Sequence, residues 1–421
     1  MLQLAVPLLY TLLFCWIIFR AEKWREGLDA RWLTFAFLIK VLAGCANLAI
    51  WMWVIGRGDS LNYLHDADLI YGTLRENPMH YLQLTFGWGP DNVYPEHLRY
   101  ISDPLKFSWN NVEYTMVRIN TILYMFTFGN AWGNVVILCF LYFLSSVWLL
   151  RNIAQFYPLH LSAAFIVLLL FPSLSLWSSG LLKEGPVLML VQIIFGSMLR
   201  LSHRYGKSNL LVILICLVLL LFVREYYTMV LVPLLILWQI ARKGQRPAWM
   251  YFSGTAVAGL LLIGIADRYS YSFNVSEIIC EAQQYFILYE DDPDYTYHVF
   301  TGYELTEPLT QLPGVINNIL FRPNLLHSSN IFRIYMSLEL MLFWLLLIYL
   351  LLRVKGKLPA LFWMWWSVAA VLLLLYGYVV TDADTMSRYR SIPQFLLLLS
   401  LLLCSPPLLT DLIKLNKKIS D

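Results

Sequence analysis

Charge is what this sequence has least of. Only 14% of its 421 residues are Asp, Glu, Lys or Arg, against about 25% in an ordinary soluble chain. That shortage excludes a large solvated surface. There is no basic tract, so the electrostatic footprint of a nucleic-acid binder is missing, and a net charge of +3 says little about partners. Six cysteines (Cys15, Cys45, Cys139, Cys216, Cys280, Cys404) are scattered, five of them in apolar runs and no two at metal-ligand spacing. They read as small apolar packing residues. No internal repeat and no soluble domain stand out.

What is there is apolar length. Hydrophobic residues make up 59% of the chain and the mean hydropathy is +0.62. The stretches 210–223, 331–352, 361–380 and 393–409 hold few or no ionisable groups. A spanning helix needs roughly 20 mainly apolar residues, and it satisfies its own backbone hydrogen bonds, which lipid cannot do. The first apolar run, 2–19, lacks a positive n-region and a small-residue cleavage site, so it is expected to be a retained helix rather than a signal peptide.

Short positive loops stay in the cytoplasm, and one topology satisfies that rule throughout. The loops 20–31, 151–159, 200–208, 241–247 and 353–358, together with the tail bearing Lys414, Lys417 and Lys418, carry the Lys and Arg residues. Placing them inside leaves 56–132, 178–185, 224–227, 267–330 and 381–391 outside. The expected fold is all-α, a polytopic transmembrane bundle of about eleven spanning helices, with two long outer loops, 56–132 and 267–330, on a single membrane domain, 1–421. The N-terminus is then outside and the C-terminus inside. The scheme requires that 116–128, short and carrying Arg118 and Asn120, not span; if it crossed, Arg200, Arg204 and Lys207 would fall outside. Both outer loops are rich in Tyr, Trp, Pro and Asp, a composition expected to pack over the helix ends.

The polar residues gather in those outer segments. The first loop opens Gly58-Asp59-Ser60-Leu61-Asn62-Tyr63-Leu64-His65-Asp66-Ala67-Asp68. If it is helical, Asp59, Tyr63 and Ala67 share a face. A carboxylate at the interface can act as general base toward an acceptor hydroxyl, although loop charges and a helix cap are the plainer reading. The second segment is Pro172-Ser173-Leu174-Ser175-Leu176-Trp177-Ser178-Ser179-Gly180-Leu181-Leu182-Lys183-Glu184-Gly185-Pro186. Ser178, Ser179 and backbone N–H groups can face an anion, with Lys183 as a point charge; a capped hairpin with a snorkelling lysine fits equally. Arg224-Glu225-Tyr226-Tyr227 forms a very short outer turn whose two charges can simply pair. In Thr381-Asp382-Ala383-Asp384-Thr385-Met386-Ser387-Arg388-Tyr389-Arg390, two arginines stand on the side where the loop-charge rule disfavours them. A bidentate phosphate contact would account for them, as would pairing with Asp382 or Asp384. Glu290-Asp291-Asp292-Pro293-Asp294 has the oxygen ligands for a divalent cation, although such a run is more often a solvated face, and no metal ligand is assigned. Asn274-Val275-Ser276 matches a glycosylation sequon, which matters only in a eukaryotic secretory compartment.

Three of these segments resemble the GT-C superfamily of membrane glycosyltransferases, in particular the bacterial protein mannosyltransferases and lipid A aminoarabinose transferases. Asp59 with Tyr63 is similar to the family's acidic first-loop motif, with Ser60 where a second acid often stands, so Asp66 and Asp68 remain alternatives for the base. Pro172…Trp177-Ser178-Ser179-Gly180…Lys183-Glu184 resembles a Pro…Trp-x-Ser-Gly-x-x-Lys-Asp turn of bacterial relatives. Arg388-Tyr389-Arg390-Ser391-Ile392-Pro393 resembles an Arg-Tyr-Arg-x-Pro entry to a late helix, and Phe321-Arg322-Pro323 with Glu339 also resembles a family segment. The resemblance implies transfer of a sugar from a polyprenyl-phosphate-linked donor to a glycan, lipid or protein acceptor of the cell envelope. The setting would be the bacterial inner membrane, with the active face outward and lipids as the remaining partners. Asp59 would be the base; Lys183, Arg224, Arg388 and Arg390 would bind the donor phosphate; Tyr63, Ser178, Ser179 and Tyr389 would line the vestibule. A polymerase or ligase using undecaprenyl-diphosphate-linked glycans, and a non-enzymatic lipid or glycan transporter, are the rival expectations.

Overall fold

The computed structural model describes residues 2–22, 28–87, 96–108, 112–203, 206–269, 275–289, 299–300, 307–327 and 331–406. All regular structure among them is helical. Among the described residues, seven helices are long and apolar enough to cross a membrane: Gln3–Arg20, Ala30–Ile55, Ala131–Phe156, Glu184–His203, Lys207–Lys243, Ile331–Arg353 and Ala360–Val379. The chain is a multi-pass membrane protein. Its described residues divide into two compact units, one within 1–228 and the other within 229–406.

The first unit is organised around α6 (Ala131–Phe156), most of which is buried. Around it pack α1 (Leu2–Arg20), α2 (Ala30–Ala49, extended by a π-turn over Ile50–Ile55), α5 (Tyr114–Thr127) and α9 (Glu184–His203). The seam with α1 and α2 is aromatic: Phe14 stacks on Phe140 at 4.0 Å, and Phe37 meets both edge-on. Polar side chains join α6 to α9, where Ser145 and Ser146 both donate to the Gln192 side-chain oxygen. Without a hydrophobic driving force between helices in lipid, such close-packed polar contacts hold a bundle together.

The described residues of 56–132 are folded into helices with a core of their own. They comprise α3 (Asp59–Glu76), α4 (Pro78–Phe86), a short turn of helix over 96–102, and α5. Tyr63, Ile70, Tyr81, Leu84, Leu98, Ile101, Tyr114, Met116 and Val117 form one buried cluster. At about 1.5 Å per residue, the 14 residues of α5 reach only about 21 Å, short of a bilayer core of about 30 Å. The helix stops where Phe128 and Gly129 adopt positive φ. A network of Asn120, Thr127 and Asn134 then fixes α5 to the start of α6.

Between α6 and α9 the chain does not follow one straight helix. It passes through α7 (Leu161–Phe165), a π-turn over Ile166–Leu170, a break at Phe171 and the short α8 (Pro172–Trp177). The turn that follows is buried throughout, 178–183 included. It lies so close to α2 that a Cβ on Gly44 would come within 2.4 Å of the Ser179 carbonyl, and one on Gly185 would come within 2.2 Å of the Tyr142 ring. Glycine at both places is what lets the turn sink into the helices.

The long apolar helix α10 (Lys207–Lys243) is broken at Arg224, whose φ of −155° and ψ of 91° are not helical. Thr228 donates to the Leu217 carbonyl at 3.0 Å. On an unbroken helix those residues would be roughly 16 Å apart, so the chain turns back on itself at Arg224.

The second unit contains α11 (Ala248–Tyr269), α12 (Val275–Tyr289), α13 (Glu307–Phe321), α14 (Ile331–Arg353), α15 (Ala360–Val379) and α16 (Ala383–Cys404). Here α16 is the buried element, enclosed by α14 and α15, while α11, α12 and α13 lean on α15.

Candidate functional site

Five charged side chains of the first unit, Asp59, Glu113, Lys183, Glu184 and Arg224, meet at one place. Gly58, with φ of 122°, packs on the Trp51 ring and delivers Asp59 as the first residue of α3. One turn later Tyr63, on the same face, is buried and donates its hydroxyl to Glu113 Oε2. The other Glu113 oxygen lies 2.6 Å from Lys183 Nζ, in an ion pair whose side chains are 29% and 6% exposed. Beside it, the break in α10 turns Arg224 toward Glu184, the first residue of α9, at 2.7 Å. Arg224 also hydrogen bonds to, and stacks over, Tyr226. Four separate stretches of chain thus supply one cluster: the start of α3, the residue before α5, the 178–184 turn and the reversal of α10.

These groups feel one another electrostatically. Burial, reinforced by the negative charges of Asp59 and Glu113, holds the Tyr63 hydroxyl well above the usual tyrosine range, so it is a donor at any physiological pH. Burial alone would raise the Glu113 carboxyl; the Lys183 ammonium, the Tyr63 hydroxyl and Arg224 outweigh it and hold the group below the usual carboxylate range. Lys183 is drawn down by burial and by Arg224, against the opposing pull of Glu113 and Asp59. The 2.6 Å contact with Lys183 and the second cation nearby keep Glu113 ionised.

The three first-loop carboxylates have different surroundings. Asp59 is half-buried and close enough to act on both Tyr63 and Lys183. Asp66 is fully buried and accepts the backbone N–H groups of Lys106 and Phe107 at 2.8–3.1 Å, with His65 at 3.0 Å; it ties the 103–108 turn to α3. Asp68 is exposed. Ser178 and Ser179 are sealed inside the turn: Ser178 donates to the Leu174 carbonyl, and the Ser179 carbonyl lies against Cys139.

Arg388, Tyr389 and Arg390 belong to the second unit. Asp382 caps α16 through the Thr385 N–H at 2.6 Å, and Asp384 lies 3.6 Å from Arg333. Arg390 donates to the Ile319 and Arg322 carbonyls at 3.0 and 2.8 Å, and Arg388 lies over the Tyr389 ring at 5.0 Å. Tyr389 itself touches Phe286 and Tyr376.

Two residues went unremarked in the sequence. Glu113 gave no signal, being a lone acid in a polar loop. Lys40 did: it is the one lysine inside the apolar run 32–55, and an ionisable residue within a span is a functional candidate by default. It lies near the middle of Ala30–Ile55, 3% exposed, donating to Ser178 Oγ at 3.2 Å. Among the described residues no group of three or more His, Cys, Asp or Glu is placed to hold a metal ion. The acidic run 290–294 and Asn274 of the sequon lie outside the described residues. A scan against protein-family models and searches of characterised proteins and of solved structures each find no match.

Proposed function

We propose that this chain is a membrane glycosyltransferase of the GT-C type. It moves a sugar from a polyprenyl-phosphate-linked donor to a cell-envelope acceptor at the outer face of the bacterial inner membrane, through about eleven spans with a cytoplasmic C-terminus. The observation that carries the reading is the convergence of Asp59, Lys183 and Arg224. The sequence singled out their three segments separately, and all three on the outer side by loop charge alone.

In this reaction Asp59 takes the proton of the acceptor hydroxyl. The freed oxygen pair forms the bond to the anomeric carbon, and the bond from that carbon to the donor phosphate breaks. The phosphate leaves with the electron pair as polyprenyl phosphate, and Lys183 and Arg224 stand where its charge develops. A positioned base contributes about 10²–10⁴-fold. Asp59→Asn should therefore lower transfer by about that factor while still retaining polyprenyl phosphate, read by native mass spectrometry of the detergent-purified protein; Lys183→Met should lose both. Full transfer by Asp59→Asn, or equal retention in all three proteins, would remove the assigned roles.

A transporter is the second reading, and two observations favour it: the reversal of α10 at Arg224 and the buried mid-span Lys40. Broken helices and midplane charges are transporter features. Flipping of a fluorescent polyprenyl-phosphate lipid by proteoliposomes, with no transfer to any acceptor, would select it.

A further inference from the structure

If Lys183 and Arg224 receive a phosphate, an obstacle stands in the way. Each cation already has a carboxylate: Lys183 has Glu113 and Arg224 has Glu184. Among these described side chains, with Asp59 adjacent, three negative groups face two positive ones. An entering anion cannot simply add to it; a carboxylate must leave.

The two candidates are not equivalent. The Glu184 side chain is 4% exposed and sits in the first turn of α9, where the helix dipole favours a negative charge. Moving it would strand Arg224. The Glu113 side chain is 29% exposed, precedes α5 and makes no side-chain cap to that helix. It can swing toward water and regain its hydration. The groups it would leave behind form a cradle: the Tyr63 hydroxyl, which stays protonated, the Lys183 ammonium and the nearby Arg224 guanidinium. A hydroxyl and an ammonium on the two oxygens of one oxyanion, with a guanidinium on the neighbouring carboxylate, make a donor set that a phosphate accepts.

We propose that Tyr63, Lys183 and Arg224 form a single phosphate site and that the Glu113 carboxylate is its resident occupant, released when a phosphate group enters. The proposal rests on the phosphate-donor reading above and adds an opposite expectation for one residue. A strut that merely positions Lys183 weakens the site when removed; a competing occupant strengthens it. An occupant that fills the site nine-tenths of the time lowers apparent affinity about tenfold.

The test compares wild type, Glu113→Gln and Lys183→Met for retention of a polyprenyl monophosphate, the matching neutral polyprenol and inorganic phosphate, by native mass spectrometry in detergent. Glu113→Gln should bind the polyprenyl monophosphate about tenfold more tightly, leave polyprenol unchanged, and lose the gain when Lys183→Met is added. A parallel gain for inorganic phosphate assigns the site to phosphate in general; a gain confined to the lipid assigns it to lipid-linked phosphate. Both uphold displacement. A second measurement needs no variant: carbodiimide labelling of Glu113 in the wild type should rise when polyprenyl monophosphate is bound. Wild-type binding that Glu113→Gln leaves equal or weakens, or labelling that falls on binding, overturns the occupant and spares the phosphate reading. Retention by neither protein overturns both.

Discussion

Arg224 in the first unit and Arg390 in the second are both arginines held among apolar helices, yet they are satisfied in different ways. Arg224 meets a carboxylate, Glu184, at 2.7 Å. Arg390 meets two backbone carbonyls, those of Ile319 and Arg322. A carbonyl cannot move without unwinding the chain that carries it, so Arg390 is a clasp between α16 and the end of α13. A carboxylate on a side chain can exchange partners. Under the proposed phosphate site it is Glu113, beside Arg224, and not the buried Glu184 that trades partners, and that ability separates a charge that handles a ligand from one that holds a fold.

The sharpest way to break that comparison is to remove Arg224. Arg224→Met takes the guanidinium away from the buried Glu184, and losing one partner of a buried pair costs about 3–5 kcal/mol. Adding Glu184→Gln should recover most of it, since an apolar or neutral pair is often no worse than the ionic one. Unfolding in detergent or bicelles checks both. A double variant as unstable as the single one would mean that Arg224 acts through Tyr226 or the chain reversal instead. Arg390→Met should cost about 1.5–3 kcal/mol for each of the two charge-assisted bonds it loses, and no carboxylate substitution should rescue it. Rescue by a change at Asp382 or Asp384 would show that Arg390 is an ion-pair residue after all.

Acid titration sharpens the contrast further. Glu113 has its folded pKa depressed below the ordinary 4.5. Its contribution to stability is therefore fully present above that value and is lost as pH falls through the folded pKa. Wild type should lose stability below about pH 4.5 more steeply than Glu113→Gln, because glutamine removes a group that the unfolded chain protonates first. Parallel acid limbs would mean that Glu113 is not ionised against Lys183. The two carbonyls that Arg390 meets do not titrate, so Arg390→Met should give no such change of slope.

Much of the helical frame was readable from run length. The apolar runs predicted long helices, and the short 116–128 segment falls on α5, a helix of 14 residues outside the seven candidate spans, and on its left-handed cap Phe128. A charged pair inside an apolar stretch marked the reversal at Arg224. The partners were not readable, because pairing is tertiary. Arg224 bonds to Glu184 and not to its neighbour Glu225, which is exposed. Lys183 is buried against Glu113, 70 residues away in the chain, rather than snorkelling. Asp66 reads in sequence like Asp59, and only the fold shows its oxygens turned to Lys106 and Phe107. Lys40 was visible as a lone lysine in an apolar run; its hydroxyl partner on the 178–183 turn was not, since nothing local says that a turn sinks to mid-span.

The smallest effect belongs to a third kind of charge, one satisfied by water. Asp68 shares α3 with Asp59 and Asp66 but is exposed. Helical geometry explains the difference: Asp59, Tyr63 and Ala67 face inward at a spacing of four, and Asp68, one position beyond Ala67, is turned about 100° away. Substitution at such a site is worth no more than about 0.5 kcal/mol. Asp68→Asn should therefore leave stability, phosphate retention and transfer as they are in the wild type. Its one expected trace is at Tyr124, whose hydroxyl is held above the usual tyrosine range by burial and then by the Asp68 charge; spectroscopic titration of the tyrosines should find that group slightly easier to ionise in Asp68→Asn. A loss of transfer in this variant would move the base from the start of α3 to its outward face. The cluster of Tyr63, Glu113, Lys183 and Arg224 would then be a structural joint, and the distinction between charges that trade partners and charges that clasp would have to be drawn elsewhere in the molecule.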